Sequence, residues 1–185
     1  MILGITGTIG AGKGTAVEYL QSKGFVSYSS SALLGELVEK EGSPKTREFL
    51  SKMATRLQAE YPGGVVEKNY REKYLFEKPE NVIFEAIHRQ SEADFIKSLG
   101  GFIIAVDADL ETRYNRTRVR NEGEKDQGDF EDFKKQSHIE DEGGGDASRD
   151  NNIRAVIQGA TAVIKNAGSA EELKAYIDNF LQEHG

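Results

Sequence analysis

Three observations predict an α/β domain with a mostly parallel sheet. Short apolar runs of strand length alternate with segments of helical period. A glycine-rich loop carrying one lysine follows the first run. Two long polar segments interrupt the alternation at separate places. With 185 residues, 37% of them hydrophobic, the chain is long enough for one domain with a buried core and short for two.

The strand-length runs are Met1 to Thr6, FVSYS from Phe25, NVIFEA from Asn81, FIIAVD from Phe102 and TAVIK from Thr161. Each is bounded by Gly, Pro or polar residues and is rich in Val, Ile and Phe. Strands separated by helices need crossover connections, which lay them parallel. A final helix is predicted from Leu173, Tyr176, Ile177 and Phe180 on one face, with Ser169 and Glu172 as a capping box. Residues from about 30 to 80 read as three helices broken at Gly42-Ser43-Pro44 and Pro62-Gly63-Gly64. That is too much chain for one crossover. Residues from about 113 to 150 are charged and glycine-punctuated; they read either as a solvated loop or as a lid over a substrate. The core is then 1–29, 81–112 and 151–185.

Composition excludes several classes. The formal charge of −7 is wrong for a protein that coats nucleic acid, which needs a broad basic face. There is no cysteine, so disulfides and thiolate metal sites are out, and the three histidines are scattered. No apolar stretch approaches the ~18 residues of a membrane span. A soluble, cytoplasmic protein is expected, without a nucleic-acid polymer or membrane as partner.

The stretch GITGTIGAGKGT, from Gly4 to Thr15, carries the chemistry. Gly7, Gly10 and Gly12 let successive backbone N–H groups turn into one small space, an anion nest. A helix starting near Lys13 adds the positive end of its dipole, and Lys13 adds a full charge. A polyphosphate fits such a site. The spacing matches G-x-x-x-x-G-K, with Gly14 where Ser or Thr is usual and Thr15 one place later.

GAGKGT, from Gly10 to Thr15, resembles the glycine loop of adenylate, cytidylate and related nucleoside monophosphate kinases, and GITGTIGAGK resembles the start of dephospho-coenzyme A kinases. The resemblance implies a three-layer P-loop kinase fold: a five-stranded parallel sheet, a helical acceptor-binding insert after the second strand and a lid after the fourth. It implies ATP over Gly10, Ala11, Gly12, Lys13, Gly14 and Thr15, with Lys13 on the β and γ phosphates and Thr15 near Mg²⁺.

On the acceptor side, FEAIHRQ places Glu85 at a strand end and Arg89 four residues on. A carboxylate there can orient magnesium-bound water or the attacking hydroxyl, and a guanidinium can grip phosphate through two parallel hydrogen bonds. His88 reads as a neighbour. The resemblance implies the same roles, through a pattern similar to D-G-x-x-R. A second acceptor arginine of the family falls on Gly35, and an acidic position on Ala32. Arg56 is the expected substitute, as in uncharacterised archaeal adenylate-kinase-like proteins; Arg47 and Lys45 are the others.

Arg113, Arg116 and Arg120 fall at i, i+3 and i+7 on one helix face, with Arg118 elsewhere. Stacked like charges call for an anion between them or for neutralisation by Glu122, Glu124, Asp126 or Asp129. The resemblance implies that Arg116 and Arg120 stabilise the transferring phosphoryl group. IQGATAVIKNAGS resembles the stretch after the fifth strand in dephospho-coenzyme A kinases, with Thr161 for the usual Asp. Asn166, Ala167 and Gly168 are there expected near the donor base, or as a plain turn.

The expected activity is ATP- and Mg²⁺-dependent phosphoryl transfer to a small phosphorylated nucleotide, most simply a (deoxy)nucleoside monophosphate, by a monomer or homodimer. A dephospho-coenzyme A kinase and a nucleotide-binding relative without transfer are the alternatives. A GTP switch is set aside, because no guanine-reading N-K-x-D is present and the D-x-x-G at Asp141 to Gly144 follows no strand.

Overall fold

The computed structural model describes residues 1–120, 128–142 and 152–185. All five apolar runs form strands: β1 (Ile2–Gly7), β2 (Val26–Ser29), β3 (Val82–Glu85), β4 (Phe102–Asp107) and β5 (Ala162–Lys165). They make one parallel sheet in the order β2-β3-β1-β4-β5. The chain therefore has the three-layer P-loop kinase fold. Registers Ser29↔Glu85, Gly7↔Val106 and Asp107↔Lys165 bring these residues to the same, C-terminal edge of the sheet, where open α/β sheets bind ligands.

Strand alternation divides the core. Leu3, Ile5, Ile83, Ile104 and Val106 face α1 (Lys13–Ser22) and α10 (Ala170–His184) through Leu20, Leu173 and Ile177. Val82, Phe84 and Ile103 face the opposite layer, α6 (Gln90–Ser98) and α9 (Ile153–Gln158), through Ala93, Ile96 and Val156. Full burial of each such aliphatic side chain contributes roughly 1.5–3 kcal/mol. The predicted capping box forms: the Ser169 side chain accepts from Glu172 N, and the Glu172 side chain from Ser169 N. Tyr176 departs from the predicted apolar face and is 57% exposed, because the contacts of α10 are carried by Leu173, Ile177 and Phe180.

The insert is three helical rods, broken where predicted. These are α2 (Ser30–Lys40), α3 (Arg47–Glu60) and a third made of α4 (Gly64–Asn69), a π turn (Tyr70–Tyr74) and α5 (Leu75–Glu77). It has its own small core of Leu33, Val38, Met53, Leu57 and Val65. After β4 come α7 (Leu110–Arg120) and α8 (Phe130–Glu142). Glu122, Glu124 and Asp126, expected to neutralise the arginines, lie outside the described residues, as do Gly143 and Gly144 of the D-x-x-G stretch.

Candidate functional site

The loop between β1 and α1 is shaped by backbone that only glycine adopts readily. Gly10 has φ 76 and Gly12 φ 105; a Cβ at Gly10 would meet the Arg113 carbonyl at 2.6 Å, and one at Gly12 the Asn166 amide at 2.5 Å. Both positions therefore combine a left-handed conformation with a close approach. Lys13 Nζ donates to the carbonyls of Gly7 at 2.8 Å and Thr8 at 2.9 Å, which holds its ammonium at the mouth of the loop. Burial lowers its pKa to about 8; the negative charge of Glu140 opposes this, while Arg113 and Arg120 add to it. A polyphosphate beside the lysine would favour its charged form.

Glu85 ends β3, accepts a hydrogen bond from the Ser27 hydroxyl, and offers its backbone carbonyl to Ser30 Oγ at 3.1 Å. Beyond it Ala86 takes a left-handed φ of 58, a strained choice for a residue with a Cβ. The turn is fastened by Thr6 Oγ1 to the Ile87 carbonyl at 2.6 Å and by Glu92, whose Oε2 accepts from His88 N at 3.0 Å and Arg89 N at 3.2 Å. Burial raises the Glu92 pKa to about 7, against the pull of those bonds and of Arg89. His88 is lowered to about 4 by burial and by the charges of Lys13 and Arg89. Arg89 is buried, and its Nη1 donates to Gln58 Oε1 of α3 at 3.1 Å.

Arg116 lies on the other side of the loop. Its Nη1 donates to the carbonyls of Asn166 at 2.9 Å and Ala11 at 3.4 Å, and its Nη2 to that of Gly168 at 3.2 Å. Asn166 Nδ2 adds a bond to the Ala11 carbonyl at 2.8 Å. The turn after β5 is thus stitched to the phosphate loop, beside a groove of about 360 Å³ lined by Lys165, Asn166, Ala167, Gly168, Glu172 and Tyr176, among others. Arg120 is exposed at the end of α7, close enough for its charge to act on Lys13.

Arg113, expected on the anion-facing stripe with Arg116 and Arg120, is instead buried. It donates to Ser137 Oγ at 2.7 Å and the Ile9 carbonyl at 3.5 Å, with Asp141 at 3.8 Å. Asp141 also pairs with Arg154 at 3.0 Å. Asp107, at the end of β4, takes Thr8 Oγ1 at 3.0 Å, Lys165 at 2.9 Å and Arg154 at 3.4 Å. Burial would raise its pKa, but these partners hold it below the usual carboxylate range. This network anchors α8 to the sheet edge and uses Arg113 as structure.

Arg56 is not brought to Arg89. It pairs with Glu41 at 2.6 Å and is 54% exposed. Arg56 and Gln58 are two residues apart on α3, so they project to different faces, and Gln58 is the one that reaches Arg89. Lys45 lies across Gly35, 3.1 Å from where a Cβ would stand, with its ammonium 2.8 Å from Glu39. Arg47 pairs with Glu140. Thr161 Oγ1 accepts from Ile103 N at 3.0 Å, a sheet-edge cap. Sequence reasoning missed Gln58, Thr8, Asp107 and Glu140. Asp107 carried a signal, since it ends an apolar run as Glu85 does.

Among the described residues no cluster of three or more His, Cys, Asp or Glu could hold an ion. Thr15 lies in the first turn of α1, and Glu85 ends β3 opposite Ile5 of β1. Their side chains are hard oxygen donors, few in number, which suits Mg²⁺ taking most of its ligands from phosphates and water.

Glycine loop, half-buried lysine and strand-end acids define a P-loop nucleotide-binding domain of kinase type. Residues 3–141 match the model of a family described as AAA domain, and the chain belongs to it and to the UPF0200 proteins. The UPF0200 protein of Sulfurisphaera tokodaii is 36% identical over 126 residues, 68% of each chain. That of Thermococcus kodakarensis is 28% identical over 191 residues, 99% of this chain and 97% of the relative. Among solved structures, TT1252 from Thermus thermophilus superposes with TM-score 0.64 at 24% identity over 100% of this chain and 98% of its own. Shikimate kinase from Aquifex aeolicus gives 0.57 at 17% identity over 99% and 97%. Dephospho-CoA kinase from Campylobacter jejuni gives 0.55 at 17% over 100% and 97%. At such identities these likenesses speak for the fold alone.

Proposed function

We propose that the protein is an ATP-dependent kinase that phosphorylates a small phosphorylated nucleotide, with a (deoxy)nucleoside monophosphate as the first choice. The observation that carries this is that parallel pairing of β1 with β3 sets the glycine loop, with Lys13 held to the carbonyls of Gly7 and Thr8, beside Glu85 at the end of β3 and the buried Arg89 in the turn after it. Lys13 serves the donor's phosphates, Arg89 an acceptor's. In the same reading the insert holds the acceptor, the segment after β4 covers it, and the protein is cytoplasmic. Among the described residues no helix is long and apolar enough to cross a membrane.

Each residue then has a task. Gly10 to Thr15 wrap the phosphates with backbone N–H groups, and Lys13 neutralises the bridging oxygens. Glu85 orients the attacking hydroxyl or a metal-bound water. Arg89, fixed by Gln58 and buried, presents a preorganised fork to the acceptor. Thr15 and Glu85 would hold Mg²⁺, which supplies charge neutralisation on the phosphates. Arg120 faces the phosphates, whereas Arg116, expected beside it on the transferring phosphoryl group, is taken up by the carbonyls of Ala11, Asn166 and Gly168 and shapes the wall of the loop on the base side. Catalysis rests on alignment and fixed charge. Dephospho-coenzyme A is the second acceptor to try, since the arginine lost at Gly35 would matter less for a ribose hydroxyl.

The test is ADP formation with Mg²⁺ and ATP over a panel of ribo- and deoxynucleoside monophosphates and dephospho-coenzyme A, beside Lys13→Ala. Turnover that needs one acceptor and is lost in the variant supports the reading. ATP binding without turnover on any acceptor overturns it in favour of a binding relative.

A further inference from the structure

Thr8 follows the first glycine of the phosphate loop and is fully buried. Its hydroxyl donates to Asp107 Oδ1 at 3.0 Å, while its carbonyl accepts from Lys13 Nζ at 2.9 Å and from Ala11 N at 3.2 Å. One residue thus carries a carboxylate on its side chain and the loop lysine on its backbone. The Asp107 carbonyl in turn accepts from Asn166 N at 2.7 Å, and the Asn166 amide donates to the Ala11 carbonyl at 2.8 Å. Thr8 and Ala11 are the two ends of one turn, so Asp107 pins both, the first directly and the second through Asn166.

Asp107 is itself held in place. It is buried, and Lys165 at 2.9 Å and Arg154 at 3.4 Å flank its Oδ2. Burial works against its charge, but the bonds from Lys165 and Thr8 outweigh burial and keep the carboxyl below the usual carboxylate range. A charged acceptor strengthens the bond from Thr8, and a β-branched side chain whose hydroxyl is taken has little freedom left at χ1. The Thr8 carbonyl is then fixed in direction, and Lys13 with it. Donors that are ordered before a ligand arrives bind it more tightly, because ordering them on binding would cost affinity.

We propose that Asp107 is the positioning residue of the phosphate loop, holding the turn from Thr8 to Ala11 and the ammonium of Lys13 in the geometry that receives phosphates. The proposal rests on the nucleotide-binding reading of the loop. It adds to that reading a carboxylate on β4 that acts through Thr8 and Asn166 rather than on the nucleotide.

The competing account is a network that ties α8 and β5 to the sheet edge and leaves the loop alone; it predicts lower melting temperatures with unchanged nucleotide affinity. ADP binding with Mg²⁺ is measured by titration calorimetry well below the melting temperature of each variant. Thr8→Val keeps the shape of the side chain and removes its hydroxyl, and should weaken ADP about tenfold. Thr8→Ser keeps the hydroxyl and should stay within about threefold of the parent. Asp107→Ala should weaken ADP at least as much as Thr8→Val, and the double variant no more than Asp107→Ala alone, because the two changes break one bond. Unchanged affinity in Thr8→Val, equal losses in Thr8→Val and Thr8→Ser, or losses that add in the double variant each overturn the proposal while the nucleotide site stands. If Asp107→Ala melts too low to titrate, the two Thr8 variants decide between the accounts. If the parent protein does not bind ADP, the reading of the loop fails and this proposal falls with it.

Discussion

The Arg116 guanidinium lies 2.9 Å from the Asn166 carbonyl and 3.2 Å from that of Gly168, so the helix after β4 and the turn after β5 are held together across the phosphate loop. Removing the fork leaves three carbonyls short of a charge-assisted donor and loosens the wall beside the loop, where the proposed function puts the base. Arg116→Ala is expected to weaken ATP binding about tenfold, since hydrogen bonds to charged groups are each worth roughly 1.5–3 kcal/mol. It should also narrow the preference for ATP over GTP. Parallel titrations with both nucleotides check this; unchanged affinity for both would mean that the fork serves stability alone.

Lys13 gives the site a pH signature. Its pKa of about 8, lowered chiefly by burial, leaves about half the ammonium deprotonated at pH 8. A bound polyphosphate favours the charged form, so binding must draw in a proton there. Calorimetry of ADP binding in buffers of different ionisation enthalpy should show net uptake near pH 8 that fades by pH 6.5, where the lysine is already charged. Lys13→Met should bind weakly and without that uptake.

Glu92 fixes the turn that carries His88 and Arg89, and its burial raises its pKa to about 7. A carboxyl with a folded pKa above its unfolded value binds more protons when folded. Its stabilising contribution is therefore complete below about pH 4.5 and is lost as pH rises through 7. Glu92→Gln keeps an oxygen for the two backbone N–H groups and has no charge to bury. Its melting temperature relative to the parent should thus improve by about 3 °C or more between pH 5.5 and 8.5. A difference independent of pH would contradict the buried, titrating carboxyl.

Arg89 and Arg56 separate what position in the helix separates. Arg89→Lys loses the fork held by Gln58 and should raise the acceptor KM at least tenfold with little change in ATP affinity. Arg56→Ala removes an exposed partner of Glu41 and should change the acceptor KM by less than about twofold. Steady-state kinetics on the acceptor found by the panel read both. Equal effects would place Arg56 in the acceptor site after all.

Residues whose environment is set by their own segment were legible in the sequence. The five strands announced themselves by β-branched runs, the insert's breaks by Gly and Pro, and the phosphate loop by glycines that its left-handed turns require. Arg113 and Arg116 were indistinguishable in sequence, three residues apart on one stripe. Only the packing of α8 decides that Arg113 goes to Ser137 and Asp141 and Arg116 to the loop after β5. Gln58 and Glu140 were invisible for the same reason: each meets its partner across more than thirty residues of chain, through the docking of the insert or of α8. Arg56 was favoured by its neighbours in sequence, yet the pitch of α3 turns it toward Glu41.

The most direct test of phosphoryl transfer is ³¹P NMR of ATP, Mg²⁺ and the acceptor that supports turnover. We expect the γ-phosphate resonance to be replaced one for one by a new phosphoryl resonance on the acceptor, with ADP as co-product and with no transfer by Lys13→Ala. Inorganic phosphate as the only new product would show a nucleotide hydrolase and contradict the account.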